Sequence, residues 1–475
     1  MHTNPYSLIR PVVLAFHFPS VAVGIYQGGE ESYYCIGNTG LVGRPVTQRT
    51  VYPVGSASKA FIAAAVMQLH ESGRIDLDRP VIEVMPEFEM YTPELTRQLT
   101  IRDMLCHRSG LPRHDATLFT CMDLSLEEMV HRIRYMQPFC SIGEHFHYQN
   151  HMFAALSLLV QRVTGLPWGR YVQQEIFAPL GMTRSYTRSF AYRHSDTDYA
   201  RPMAVLGPLK LPIKSVPTDS TGCAGSISAS CEDMMHWVRA NLSAARQEAA
   251  GTVVTRSASE QLHDRQMSIL SGEMMPFELP EVTESHYGLG WFVEQFRDHK
   301  LVHHGGTLPG FNTLVGFIPD CDFAYVILSN GAGTPACMAL GYTLCDSALE
   351  QPDGDWASRL KEIQKKMMVE ARQKYRKALE RPDVSPSTEG CAGFYNNGAY
   401  GTLEVTNRRG KLLVSGRGLP GGMALVPSKQ DEYALKLPTM GGTFPCHFVR
   451  TDRQVTALEA KLEERLDAYI PFEKL

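Results

Sequence analysis

The sequence lacks several features that would assign it to other classes of protein. No apolar run reaches about 18 residues, so no membrane-spanning helix is expected. The two signs of charge nearly balance, since 46 Lys and Arg and 50 Asp and Glu give a net charge of −4. That balance argues against nucleic acid or an anionic membrane as a partner. The N-terminus has no basic region, and Arg10-Pro11 interrupts the apolar stretch that follows, so no signal peptide is expected.

The cysteines indicate a reducing compartment. There are 11, an odd number, and no two of them have Cys-x-x-Cys spacing. This usage is typical of free, mostly buried thiols, and it predicts a cytoplasmic protein. The sequence predicts neither a bound metal nor a cofactor. With 475 residues, the chain is too long for one ordinary domain and long enough for a large core.

The most informative motif is a Ser-x-x-Lys formed by Ser56 and Lys59. It follows the extended segment Val51–Gly55 and opens an apolar helix predicted from residue 57 to about 72. Residues three apart share one helix face, so the hydroxyl and the amine can meet. A serine becomes a nucleophile when a base takes its proton, and lysine can be that base once its pKa is lowered. A second Ser-x-x-Lys, from Ser358 to Lys361, opens a charged helix and is interpreted as a solvated face.

A Tyr-x-Asn motif, Tyr148 and Asn150, precedes another apolar helix. A phenol can relay a proton if nearby cations lower its pKa from about 10. An amide offers a donor and an acceptor that can orient a substrate. The alternative is structural: Tyr148 would pack on the core and Asn150 would cap the helix.

A third segment, residues 301–311, begins as a strand and becomes rich in glycine at His304, Gly305 and Gly306. Closely spaced glycines allow the backbone to approach a ligand. An N–H of this segment can complete an oxyanion hole with the N–H of Ser56. The alternative is an ordinary glycine bulge between strands, with histidines that are solvated or that cap a turn.

Taken in order, these motifs resemble the serine β-lactamase and penicillin-binding-protein-like superfamily, in its class C-like branch of esterases, D-amino-acid peptidases and acyltransferases. The resemblance spans about residues 20 to 345. The matching segments are 54–59, 99–112, 148–150, 165–168, 179–182, 224–230, 287–291, 304–306 and 309–311. The resemblance implies an α/β (α+β) fold in which helices flank an antiparallel sheet and an all-helical insertion interrupts the chain.

The resemblance also implies roles for particular residues. Ser56 would be the acyl-accepting nucleophile, with Lys59 and Tyr148 as the proton-transfer pair. The substrate-binding residues would be Asn150, His304, Gly305, Gly306 and Thr307, of which Thr307 would supply the second oxyanion N–H. β-Lactamases and cell-wall peptidases have Lys-Thr-Gly or Lys-Ser-Gly where this chain has His-Gly-Gly. Because a near-neutral imidazole holds a carboxylate less strongly than an ammonium does, antibiotic hydrolysis is not expected as the main activity.

The sequence therefore predicts a serine hydrolase of the esterase or peptidase type. Its substrate would be a small-molecule ester, amide or acyl-thioester, attacked by Ser56. An acyltransferase that passes the acyl group to an alcohol or amine in secondary metabolism would use the same residues, so the sequence leaves it open. A non-catalytic scaffold is a further alternative, against which the intact catalytic residues speak. Assembly as a homo-oligomer is also left open.

The chain is expected to have three parts. Residues 1–350 would form the catalytic domain, and residues 351–387 a charged helical connector with a linker. Residues 388–475 show short strands separated by Gly, Asn and Asp turns, which predicts a small antiparallel barrel. This part resembles a lipocalin-like domain at Gly393-Phe394-Tyr395 and Tyr400-Gly401. It would cap the active-site cleft or mediate assembly, or else be a docked module without a part in the chemistry.

Overall fold

The computed structural model describes residues 4–117, 124–195, 198–248, 253–274, 277–378, 386–416, 419–429, 432–437 and 442–475. The α-helices in these ranges are α1 (Pro5–Ala15), α2 (Lys59–Glu71), α3 (Pro93–Gln98), α4 (Ile101–Leu105), α5 (Leu126–His131), α6 (Asn150–Thr164), α7 (Trp168–Val172), α8 (Tyr192–Ser195), α9 (Cys231–Ala245), α10 (Arg256–Leu262), α11 (Thr334–Ala348) and α12 (Trp356–Ala378). Short 3₁₀ turns lie at Gly55–Ser58, Val81–Glu83, Arg132–Tyr135, Asp219–Ala224 and Pro319–Cys321, and a π turn lies at Gln173–Phe177.

The strands up to residue 330 are β1 (Ser20–Gln27), β2 (Glu30–Gly37), β3 (Val51–Pro53), β4 (Ser185–Tyr186), β5 (Met203–Leu206), β6 (Leu209–Pro212), β7 (Ser228–Ser230), β8 (Met267–Ser268), β9 (Val282–Tyr287), β10 (Phe292–Phe296), β11 (His299–Leu308), β12 (Phe311–Ile318) and β13 (Phe323–Asn330). The later strands are β14 (Gly393–Asn397), β15 (Gly401–Arg408), β16 (Lys411–Gly416), β17 (Leu419–Lys429), β18 (Glu432–Leu437), β19 (Gly442–Thr451), β20 (Gln454–Ala460) and β21 (Ile470–Lys474).

The main sheet has eight antiparallel strands in the order β2-β1-β13-β12-β11-β10-β9-β8. Helices α1 and α11 cover one face, and α2 and α9 cover the other. Because both faces are covered, every residue of β12 and β13 is buried. This accounts for the nearly continuous apolar run Phe323–Leu328, which would alternate with polar residues in a sheet exposed on one face. The predicted fold class, an antiparallel sheet flanked by helices with a helical insertion, is confirmed.

The start of the first helix of the insertion differs from the prediction. Residues Gly55–Ser58 form a 3₁₀ turn, and α2 begins only at Lys59. The reason is local, since the N–H of Ala57 bonds to the carbonyl of Val54, three residues back, at 3.3 Å. Ser56 therefore lies on a tight turn before the helix, and Lys59 is the first residue of the helix.

The middle strand β11 has two different halves. Residues 299–303 pair with β10 on one side, and this pairing ends at His303. Residues 302–308 pair with β12 on the other side. The half of β11 from His304 onward thus presents an edge, and this edge contacts the Gly55–Ser58 turn.

The C-terminal strands β14 to β21 form a closed antiparallel barrel, as predicted. Helix α12 precedes it, packs against α11 and corresponds to the predicted charged connector. Residues 379–385, which include most of the predicted linker, lie outside the described residues. No helix in the described ranges is long and apolar enough to span a membrane.

Candidate active site

Three distant segments meet beside the edge of β11: the Gly55–Ser58 turn with the first residue of α2, residues 148–150 at the entry to α6, and the second half of β11. Together they supply all eight residues predicted for the site. Six of these residues line one cavity, namely Ser56, Tyr148, Asn150, His304, Gly305 and Thr307. The other two lie directly behind it, since Lys59 hydrogen-bonds to Ser56 and Gly306 packs against the backbone of that turn.

The amine of Lys59 has three oxygen neighbours. Its Nζ lies 3.2 Å from the Oγ of Ser56, 2.8 Å from the Oδ1 of Asn150 and 2.9 Å from the carbonyl oxygen of Ala224. The last two oxygens can only accept hydrogen bonds. A neutral amine has two N–H groups and one lone pair. With both N–H groups given to those acceptors, the lone pair faces the hydroxyl of Ser56.

The surroundings of Lys59 favour this neutral form. Its side chain is 0% exposed. Burial lowers the pKa of Lys59 well below its usual range, and the positive charge of Arg113 lowers it further, whereas Asp115 acts in the opposite direction. Burial and a nearby cation therefore prepare the lysine to accept a proton.

Tyr148 lies beside the same amine, with the centre of its ring 4.6 Å from the Nζ of Lys59 and 5.2 Å from the guanidinium carbon of Arg113. Burial raises the pKa of Tyr148 above its ordinary value, and it outweighs the opposing effects of a hydrogen bond with Ser56 and of Arg113. The condition stated for a proton relay, a pKa lowered by nearby cations, is therefore not met in the net direction of the shift. Tyr148 keeps its proton.

Asn150 is held by partners at both ends of its amide. Besides its contact with the lysine, its Nδ2 donates to the Oδ1 of Asp115 at 3.0 Å. The Oδ2 of Asp115 accepts from the Nε of Arg113 at 2.6 Å. The alternative role of Asn150 as a helix cap is wrong, because Gln149 is the N-cap of α6 and its side chain accepts from the N–H of His151.

Arg113 and Asp115 were missed in the sequence. They follow directly after the segment 99–112 that carries part of the family resemblance. An Arg-x-Asp pair is too common to indicate a site by itself. The position of the pair after that motif was the one signal that could have pointed to it.

Two glycines hold the turn and the strand in backbone contact. A Cβ on Gly306 would lie 1.9 Å from the carbonyl oxygen of Val54 and 3.1 Å from the nitrogen of Ser56. A Cβ on Gly55, whose φ is +54°, would lie 3.0 Å from the nitrogen of Thr307. Both positions therefore require glycine. This packing brings the backbone nitrogens of Ser56 and Thr307 to the same edge of the cavity.

His304 is buried and neutral. Its Nδ1 lies 2.6 Å from the carbonyl oxygen of Gly305, so this nitrogen donates, and its Nε2 accepts from the hydroxyl of Tyr287 at 2.9 Å. Burial lowers the pKa of His304 to about 3. The neutral imidazole expected from the sequence thus has partners at both nitrogens, and it presents no charge to a substrate.

The cavity beside Ser56 has a volume of about 1120 Å³, and it continues over the outer face of the sheet beneath α11. Drug-sized ligands occupy pockets of about 300–1,000 Å³, so this cavity fits a larger substrate. Its walls are mainly apolar, with Ile269, Met274, Phe277, Leu279, Phe292, Leu301, Leu314 and Met338. Polar groups occur at the end near Ser56 and again at the far end.

The C-terminal barrel docks on the segment that follows α4. The hydroxyl of Tyr400 lies 2.6 Å from the Nδ1 of His114 in a buried contact. The Nη1 of Arg132 donates to the carbonyls of Gly398 and Ala399 at 3.1 and 3.2 Å. The barrel is therefore joined to the chain at His114, between Arg113 and Asp115, and again at Arg132.

A carboxyl group of the barrel comes close to those residues. Glu463 is 7% exposed. Burial and the charge of Asp115 raise the pKa of Glu463 to about 8, while Arg113 acts in the opposite direction. The Arg113–Asp115 pair thus lies between the catalytic region and the barrel.

Comparison with known proteins agrees with this fold. The family model described as Beta-lactamase matches residues 7–349. The chain is similar to "Unguisins hydrolase ungD'" of Aspergillus campestris (strain IBT 28561), with 27% identity over 466 residues, which cover 91% of this chain and 84% of that protein.

Two solved structures are also similar. The octameric penicillin-binding protein homologue from Pyrococcus abyssi superposes with a TM-score of 0.64 and 20% identity over 99% of each chain. The D-amino acid amidase from Ochrobactrum anthropi SV3, complexed with L-phenylalanine, gives a TM-score of 0.60 and 20% identity over 73% of this chain and 98% of that one. At these identities the likeness shows a shared fold.

Proposed function

Because this chain belongs to the beta-lactamase family and is a serine hydrolase, we propose that it attacks an ester or amide through an acyl-enzyme on Ser56. The observation that carries this proposal is the set of contacts around Lys59. The Nζ of Lys59 lies within 3.2 Å of three oxygens, and in the neutral amine the acceptors of Asn150 and Ala224 take both N–H groups, which leaves the lone pair for the Ser56 hydroxyl. That arrangement is what a general base for a serine nucleophile requires.

The proposed acylation returns Lys59 and Tyr148 to their starting protonation states. Ser56 Oγ bonds to the substrate carbonyl carbon while its proton passes to the Nζ of Lys59. The backbone N–H groups of Ser56 and Thr307 stabilise the oxyanion. The protonated Tyr148 gives its proton to the leaving group and takes one from Lys59. A water molecule then attacks the acyl group, and the same residues carry the protons in reverse.

Asn150 has two parts in this scheme. Its Oδ1 accepts from Lys59, which fixes the amine toward Ser56. Its Nδ2 has a second hydrogen besides the one given to Asp115, and Asn150 lines the cavity, which supports its predicted contact with the substrate. His304 contributes packing and a hydrogen bond to Tyr287 rather than a charge. A penicillin carboxylate would therefore find a weak partner here.

The nucleophile is tested with a fluorophosphonate label and mass spectrometry. The label should appear on Ser56 in the wild type and disappear in Ser56→Ala, and turnover should fall by several orders of magnitude. Ser358→Ala is the matched control, because it removes the serine of the other Ser-x-x-Lys on an exposed helix face. Turnover by Ser56→Ala near the wild-type rate would overturn the assignment.

A second experiment separates hydrolysis from acyl transfer. The name of the Aspergillus relative and the activity of the Ochrobactrum enzyme support hydrolysis, and the latter supports an amide substrate. Esters and D- and L-amino-acid amides are incubated with and without an alcohol acceptor, and the products are identified by mass spectrometry. Free acid as the main product in both conditions supports the hydrolase, whereas an acyl-acceptor product made in preference to acid would favour the transferase.

We further propose a division at residues 350 and 388, a homo-oligomeric state and a cytoplasmic location. Strands up to residue 330 pair among themselves and strands after residue 392 do the same, which supports the division. The similarity to an octameric homologue supports assembly. The ten cysteines in the described ranges are all free thiols, which supports a reducing compartment. Light scattering after gel filtration and cell fractionation test the last two points.

A further inference from the structure

The cavity extends far beyond the reacting serine. Strand β11 runs along its floor from Thr307, beside Ser56, back to Leu301, and six residues of strand span roughly 20 Å. Glu294 of β10 pairs opposite Leu301 and lines the cavity there. A partly buried carboxyl group therefore lies at the far end, at a distance that only a long substrate could cover.

Glu294 has weak partners within the protein. Its side chain is 13% exposed. The hydroxyl of Tyr342 on α11 donates to its Oε2 at 3.3 Å, and that of Ser285 donates to its Oε1 at 3.4 Å. Hydrogen bonds from hydroxyl to carboxylate are ordinarily about 2.5–2.7 Å long. This carboxyl group thus retains much of its capacity to accept hydrogen bonds.

The neighbouring histidine also lacks hydrogen bonds. The Nε2 of His303 lies 3.2 Å from the Oε2 of Glu294, but the geometry does not meet that of a hydrogen bond. Neither ring nitrogen of His303 has a hydrogen-bond partner among the residues that the structure describes. Buried polar atoms without partners are rare in folded proteins and call for a bound group. Here the two ring nitrogens of His303 lie at one end of a cavity, beside a carboxyl group that accepts two long hydrogen bonds.

From this arrangement we propose that the far end of the cavity binds a cationic nitrogen at the distal end of the substrate's acyl part. Glu294 would pair with the ammonium or guanidinium, and a ring nitrogen of His303 would accept a further N–H. The rest of the acyl part would lie along the apolar walls. This inference rests on the proposed function, since it makes the cavity the acyl pocket of the Ser56 acyl-enzyme.

The charges around the cavity favour a cation at that end. Two further carboxyl groups line it, those of Glu278 and Asp115. Among the described lining residues, the one Lys or Arg is Arg113, which lies at the catalytic end and is paired with Asp115. The far end thus has a carboxyl group and no fixed cation, so an incoming ammonium would meet attraction there.

The test uses two esters that differ only at the distal end. Each is a p-nitrophenyl ester of an N-acetylated, otherwise apolar hexapeptide, whose length of roughly 20 Å spans the cavity. The first residue is lysine in one ester and norleucine in the other. We expect wild-type kcat/KM to be about ten- to a hundredfold higher for the lysine ester, because this is the factor that one charge-assisted hydrogen bond contributes to binding.

Glu294→Gln should abolish the preference for the lysine ester, because glutamine has nearly the same shape as glutamate but no negative charge. Glu284→Gln is the matched control, because it removes one negative charge from the neighbouring strand at an exposed ion pair with Arg265. It should leave the preference unchanged. The readout is the ratio of kcat/KM for the two esters, measured on one protein sample. A misfolded fraction of a variant lowers both values equally, so it does not change the ratio.

Each outcome decides the matter. A wild type that turns over both esters equally would overturn the subsite, whether or not Glu294→Gln folds. A preference that survives in Glu294→Gln would also overturn it. If fluorophosphonate labels Ser56 but the wild type turns over the lysine and norleucine esters at equal rates, the subsite is refuted and the proposed function is not. Absence of labelling would refute the proposed function and the subsite with it.

Discussion

The two adjacent glycines of β11 should respond very differently to alanine. At Gly306 a new Cβ would lie 1.9 Å from the carbonyl oxygen of Val54, whereas real Cβ contacts essentially never fall below 3.0 Å. The obstacle is backbone on both sides, so no side chain can turn away. The strand and the Gly55–Ser58 turn must therefore move apart by about 1 Å.

That displacement separates the two backbone nitrogens proposed for the oxyanion hole. Misplacement by about 1 Å costs on the order of a hundredfold in rate, and loss of one oxyanion donor costs about a hundred- to a thousandfold in kcat. We therefore expect Gly306→Ala to lower kcat by about two to three orders of magnitude. At Gly305 a Cβ would meet the carbonyl oxygen of Thr313 at 3.5 Å, an ordinary contact. Gly305→Ala should keep kcat within a few-fold.

The assay is stopped-flow acylation with a small acetyl ester, which keeps the far end of the cavity out of the comparison. Circular dichroism and the melting temperature show whether each variant is folded. Equal losses of kcat in Gly305→Ala and Gly306→Ala would mean that the two glycines act through backbone flexibility rather than through the close approach of the strand to the turn. A folded Gly306→Ala with wild-type kcat would refute the geometry of the oxyanion hole.

Three further predictions follow from the charges and burial around the site. Lys59→Met and Tyr148→Phe should each lower the acylation rate, and the double variant should be little slower than either single variant. Losses in rate that multiply in the double variant would show that the two residues act separately. His304→Lys would bury an ammonium beside the amine of Lys59, so we expect a lower melting temperature rather than penicillin turnover; a gain in that turnover at unchanged stability would contradict this. Burial lowers the pKa of His263 to about 3, so between this pH and about 6.5 the unfolded chain binds a proton that the folded chain does not. The free energy of unfolding should therefore fall by about 2 kcal/mol for this residue between pH 6.5 and 5, and His263→Gln should remove that part of the fall in chemical denaturation curves.

The parts of the structure that the sequence predicts well depend on local signals. The apolar runs of β12 and β13, the glycine that ends α6 and the glycine-rich strand β11 each have a short-range physical cause, and each lies where the motifs indicate. The error at the start of α2 is also local. A change from i+4 to i+3 hydrogen bonding over four residues, Gly55–Ser58, leaves no periodicity to detect.

The features that were missed arise from burial and from contacts between distant segments. The net direction of the Tyr148 pKa depends on how completely the ring is enclosed, which motif spacing does not report. Asp115 acquires its role from Asn150, which lies 35 residues away in the chain. His304 becomes neutral because its burial lowers the pKa of the ring to about 3, although the carbonyl of Gly305 acts in the opposite direction. Each of these depends on the assembled fold.

The contact with the barrel bears on the alternative that the barrel is a docked module without a part in the chemistry. Burial lowers the pKa of His114 to about 4, so its ring is neutral. Its Nε2 lies 3.1 Å from the carbonyl of Gln137 and therefore donates, which leaves Nδ1 to accept from the hydroxyl of Tyr400. Because His114 stands between Arg113 and Asp115 in the chain, a barrel residue fixes the backbone that carries both. The barrel is thus two hydrogen bonds and one short stretch of backbone away from Asn150.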